Sequence, residues 1–167
     1  MESVRIMNTG SLLEMQRRLR AAGHESLRSS VQRRIRRAAE PLRNDLQSAI
    51  RGLDIRSPGR TRPGGPSPTT RPLRATIADA IRISVRTTSS GAGARVWIDK
   101  GLLPPDLRRM PDVINTGRIR HPVFGNRRRW ATQTATPLWW TNTVRRHQSR
   151  MSAEVERVLD DVRQRLS

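Results

Sequence analysis

The sequence predicts an α+β fold: a long N-terminal helix, a small antiparallel sheet built on a β-hairpin, and a C-terminal helix. Three observations lead there. Leu27, Val31, Ile35, Ala38, Leu42, Leu46 and Ile50 recur every three or four positions, which is one stripe of a helix. Ile81, Ile83 and Val85 alternate with Arg82, Ser84 and Arg86. Beyond the turn-forming "TTSSGAG", Ala94, Val96 and Ile98 alternate with Arg95, Trp97 and Asp99, so the two runs read as half-buried strands of one hairpin. Helical spacing returns in Val144, Met151, Val155, Leu159, Val162 and Leu166.

Each element has its own local grounds. Leu12, Met15 and Leu19 extend the first stripe upstream, with Gly23 as a weak point, so residues 1–53 read as the N-terminal helical segment. Pro41 lacks an amide hydrogen and crowds the carbonyl four residues back, which predicts a kink or a restart there. Residues 54–72, "DIRSPGRTRPGGPSPTTRP", hold five prolines, three glycines and four arginines without periodicity, the composition of a linker or extended loop. Residues 73–167 then form the α+β core with its C-terminal helix, in a single domain overall. "LRATIADAI" is a short helix. Pro104-Pro105-Asp106 opens a helical piece through Met110, and Pro111-Asp112 restarts it as far as the stop at Asn115-Thr116-Gly117. Arg118 to Val123 is a third strand, placed by Pro122 at an edge or strand end. Asn142 or Thr143 caps the last helix.

Composition narrows the function. Of 167 residues 33 are basic and 14 acidic, for a net charge of +19, and only 34% are apolar. Low hydrophobicity at such charge points to disorder or to a fold completed by partners, and the clear periodicities favour the second. Lys100 is the single lysine. Arginine forks bind carboxylate or phosphate bidentately and stack on aromatic faces, although a GC-rich coding sequence produces the same bias. The charge favours contact with polyanions without making nucleic acid the biological ligand. Glu2 and the lack of an apolar run argue against a signal peptide, and no stretch is long enough to span a membrane, so a soluble protein made inside a cell is expected.

Catalytic patterns are not found. There is no cysteine, hence no thiolate nucleophile and no zinc-ribbon spacing. His24, His121 and His147 lie in unrelated segments without metal-ligand spacing. "GAGARV" sits between two strands rather than between strand and helix, so it is no dinucleotide fingerprint. Asp106 and Asp112 read as capping and charge-balancing groups rather than a catalytic pair. No enzyme, cofactor or metal is expected, and zinc-finger, RNP and clear helix-turn-helix signatures are missing too.

What remains is a concentration of arginine and tryptophan. From Arg118 to Arg150 there are eight arginines, three of the four tryptophans, the only phenylalanine and no carboxylate. The C-terminal helix, with Glu154, Glu156, Asp160 and Asp161, is the acidic part of the chain. Tryptophan and arginine are the types most enriched at interface hot spots. Phe124, Trp130, Trp139 and Trp140 are therefore candidate packing and interface anchors. Trp139 and Trp140, in an extended chain, would point one ring inward and one outward. Arg127, Arg128 and Arg129, bracketed by Gly125-Asn126 and Trp130, are candidate charged contacts.

The layout from about residue 10 to 166, and above all "RHPVFGNRRRWATQTATPLWW" followed by "VERVLDDVRQRL", resembles the tail-completion and head-to-tail joining proteins of long-tailed bacteriophages, especially those of actinobacterial hosts. The resemblance implies a small, non-enzymatic α+β protein of the virion neck, assembled in the host cytoplasm. It implies a homo-oligomeric ring, commonly hexameric, between the head connector or stopper and the tail tube or tail terminator. A basic body with an acidic C-terminal helix would supply the two unlike faces that a head-to-tail ring needs. Contact with packaged DNA is a further expectation, and nonspecific DNA binding is the alternative function. The resemblance leaves open which joint of the neck is occupied and what residues 54–72 do.

Overall fold

The computed structural model describes residues 3–8, 25–58, 72–88, 91–123 and 126–166. In chain order these form β1 (Val4–Asn8), α1 (Glu25–Arg51), β2 (Ile55–Arg56), α2 (Leu73–Asp79), β3 (Ile81–Thr88) and β4 (Gly91–Ile98). Two single 3-10 turns, Lys100–Leu102 and Pro105–Leu107, lead to α3 (Met110–Asn115), β5 (Arg118–Val123), β6 (Asn126–Ala135) and α4 (Trp139–Leu166). The class is α+β, with the long helices and the hairpin where periodicity predicts them. The strands form two sheets instead of one, ordered β1-β4-β3 and β2-β6-β5, so the third strand expected at Arg118–Val123 joins a sheet of its own. The chain divides into two compact units: one of residues 45–81 and 98–143, the other of residues 2–44, 82–97 and 144–167.

In the second unit, Val31, Ile35, Ala39 and Leu42 are buried along α1, whereas Ala38, the expected stripe member, is half-buried. Either alanine lies one three-residue and one four-residue step from Ile35 and Leu42, so the spacing fits both, and the structure buries Ala39. The helix continues through Pro41 without a restart. Leu12, Met15, Leu19 and Gly23 lie outside the described residues. The strand Val4–Asn8 is an element the sequence reading assigned to the N-terminal helical segment. It pairs antiparallel with β4, Val4 opposite Val96 and Met7 opposite Gly93. Gly91 and Gly93 belong to this central strand, not to the turn, and Ala92, Ala94 and Val96 are buried beside them. In α4, Met151, Val155, Leu159 and Val162 are buried as their spacing predicts, joined by Val158. Gln32 donates to the Thr87 hydroxyl at 2.9 Å, and Arg34 pairs with Asp161.

The first unit is organised around short connections. Leu46 and Ile50 of α1 are fully buried, as are Ile77 of α2 and Ile114 of α3. Gln47 donates to the Ala78 carbonyl at 3.0 Å, Arg74 donates to the Leu53 carbonyl at 2.7 Å, and Arg51 pairs with Asp79 at 2.7 Å. Of the expected loop, residues 59–71 lie outside the described residues; at its start Ile55 and Arg56 lie opposite Ala135 and Thr134, and Gln133 donates to the Ser57 hydroxyl at 3.2 Å. Asp112 is balanced by the chain's one lysine, Lys100, at 2.7 Å. Burial pushes its carboxyl up, but the neighbouring positive charge, Lys100 foremost, holds it below its ordinary value.

The largest departure from the sequence reading is the start of α4. The helix begins at Trp139, not after a cap at Asn142 or Thr143. Thr143 is buried inside it, its hydroxyl donating to the Trp139 carbonyl at 2.8 Å. The capping acceptor comes from another segment: the side-chain oxygen of Asn115, the last residue of α3, accepts from the Trp140 amide at 3.1 Å. The Asn115 carbonyl meanwhile accepts from the Leu138 amide at 2.8 Å. Gly117 makes room for this junction. It has φ of +81°, its carbonyl accepts from the Ala135 amide at 2.9 Å, and a Cβ there would stand 2.9 Å from Pro137 Cβ.

Candidate interaction surface

The stretch from Arg118 to Ala135 is an antiparallel ribbon in the first unit, with β5 at the sheet edge as Pro122 predicts. Its register is regular from Arg118 opposite Thr134 to Pro122 opposite Trp130. At the next step it jumps, and Val123 stands opposite Asn126. Arg127, Arg128 and Arg129 therefore have no partners on β5: the arginine triplet is a bulge. Two side chains shape it. Asn126 accepts from the Arg128 amide through its side-chain oxygen at 2.9 Å, and the Trp130 indole donates to the Arg127 carbonyl at 2.9 Å. The sequence thus folds locally because an Asx-type contact opens the bulge and a tryptophan closes it.

All five residues from Asn126 to Trp130 are exposed, and Trp130 keeps 49% of its surface accessible. The Arg120 guanidinium lies over the Trp130 ring, 4.9 Å from its centroid. Stacking on the ring face restrains this arginine, and a stacked guanidinium can still bind an oxyanion through its fork. Among the described residues, no ion pair involves Arg127, Arg128 or Arg129, whereas Arg34, Arg51, Lys100 and Arg157 all have carboxylate partners. On its other side, among the described residues, β6 is covered only where β2 meets Thr134 and Ala135. The arrangement is a cationic ribbon with a half-exposed aromatic and an incompletely paired strand, suited to fixed carboxylates, to phosphates, or to an added strand.

The remaining anchors do not gather here. Trp139 and Trp140 are 4% and 3% exposed and belong to the core, which overturns the expectation that one ring would face outward. They are helical rather than extended, so consecutive rings are set at a steep angle: their centroids are 5.7 Å apart and their planes meet at 85°. Phe124 and Gly125 lie outside the described residues. In the sequence Asn115 and Gly117 read only as a helix stop, and Arg120 has no role of its own. The stacking of Arg120 on Trp130 depends on the bulge, which strand spacing alone does not reveal, and the cap is a contact between segments with no local signal.

Among the described residues no group of three or more histidine or acidic side chains is placed to hold a metal ion, and no helix is long and apolar enough to cross a membrane. No protein-family model matches the chain, and neither a curated protein nor a solved structure shows significant similarity to it.

Proposed function

We propose that the chain is a structural, non-catalytic subunit of a bacteriophage neck, forming a ring that joins the head connector to the tail tube. The observation that carries this reading is the arginine bulge of β6, a cationic, aromatic-bearing surface with no carboxylate partner among the described residues. Such a surface favours docking on an acidic face of a protein, and arginine with tryptophan forms strong anchors where water is excluded. The resemblance of this same stretch to neck proteins supplies the assembly: a homo-oligomer, hexameric by analogy, that meets the connector or stopper on one side and the tube or terminator on the other. The protein would be found at the head-tail junction of the virion after assembly in the host cytoplasm.

Mass photometry of the purified protein at high concentration, and electron microscopy of particles, test the ring directly. A closed multimer in either setting is the expected result, and a monomer in both would remove the reading. A second function, nonspecific binding of DNA by the same arginines, is favoured by the net charge of +19. It predicts a salt dependence of roughly 0.9 in log K against log salt for each phosphate contacted.

A further inference from the structure

A second feature, in the other compact unit, is independent of the neck reading. A cleft of about 410 Å³ opens along α1 and α4, within the size range of ligand-binding clefts. Its floor is apolar: Leu42, Met151 and Val158 line it and are themselves almost fully buried. Its rim is charged, and the four charged groups are not equivalent. Arg34 is held by Asp161, and Glu154 is held by Arg157 at 2.8 Å. Arg37 and Arg150 are exposed and have no ion pair among the described residues.

We infer that this cleft docks a segment of a partner protein in which an aliphatic side chain is flanked by carboxylates. The aliphatic group meets the floor and the carboxylates meet the forks of Arg37 and Arg150. Charge complementarity selects an acidic partner, since the whole chain is strongly cationic. The floor selects protein over nucleic acid, because a phosphate backbone gains nothing from Leu42, Met151 and Val158. Two exposed arginines on a cleft that also holds apolar side chains are matched by a peptide that carries both chemistries.

Met151 makes the inference measurable, because its methyl group reports from the floor. The chain has five methionines, so methyl-labelled protein gives a sparse spectrum, and a Met151→Leu variant assigns the signal. The probe is an acetylated and amidated pentapeptide with a central leucine between two pairs of glutamates. Its controls are the same peptide with a central serine and a five-nucleotide oligothymidylate. The leucine peptide should shift the Met151 signal saturably, and the serine peptide should bind about tenfold more weakly, the loss expected for one unburied aliphatic side chain. An Arg37→Glu, Arg150→Glu double variant changes only exposed side chains and should keep the free Met151 shift while losing the response to peptide. No Met151 response at millimolar peptide would overturn the inference. So would equal affinity for the serine peptide, a Met151 response to oligothymidylate of the same strength, or unchanged binding by the double variant.

Discussion

Trp130 and the Trp139–Trp140 pair lie in one carboxylate-free stretch of sequence, yet they have opposite fates. Trp130 is half-exposed on a strand, carries Arg120 over its ring and ties off a bulge of three exposed arginines. Trp139 and Trp140 are buried in the first turn of a helix, edge against face. Two local devices make the difference. At the ribbon tip, the register jump after Pro122 throws the arginines out of the ladder. At the helix start, Asn115 and Gly117 bring a second segment close enough to cap α4 and bury its first residues. Richness in arginine and tryptophan is therefore not one signal. It marks a surface where the backbone leaves the ladder, and a core where an outside cap lets the helix begin.

This contrast can be broken most sharply by truncating the rings. Trp140→Ala should lower unfolding stability by about 3–5 kcal/mol, the usual loss for a large buried aromatic. Trp130→Ala should cost less than about 1 kcal/mol, since half its surface is already in water. Urea unfolding of the two variants measures both, and similar losses would erase the distinction.

Substitutions at the junction sharpen it further. Gly117→Ala should destabilise by about 2 kcal/mol or somewhat more: a left-handed backbone costs a non-glycine residue roughly 1–2 kcal/mol, and the new Cβ meets Pro137 and the Ala135 carbonyl. Asn115→Ala should cost about 1 kcal/mol, like the loss of an ordinary N-cap, because the Trp140 amide loses its acceptor. If Asn115→Ala were silent while Gly117→Ala was not, the cap would be incidental and the turn alone would position the helix.

Much of the fold was legible because its long elements repeat. The stripe of α1, the alternation of β3 and β4, and Met151 to Val162 of α4 needed only periodicity. Ala39 displaced Ala38 because spacing alone cannot choose between neighbouring alanines when both fit a three-or-four rule. The strand Val4–Asn8 was illegible, since five residues give too little pattern and its pairing with β4 is a distant contact. The strand β6 was hidden for a different reason: its exposure barely alternates, so no face declares itself apolar. In the candidate surface, the identity of Arg127, Arg128, Arg129 and Trp130 was visible from composition. Their geometry was not, because a bulge is set by how two strands register and not by either strand alone.

The most direct test of the central claim, that the β6 bulge is a protein-contacting surface, is a joint Arg127→Glu, Arg128→Glu, Arg129→Glu variant. Its stability should change little, because all three side chains are exposed. It should fail to join heads to tails in an extract lacking the native protein, and ring formation or partner recruitment without DNA should be lost. Normal joining, combined with a DNA-binding salt slope flattened by roughly 0.9 per arginine lost, would contradict the account and assign the bulge to phosphates instead.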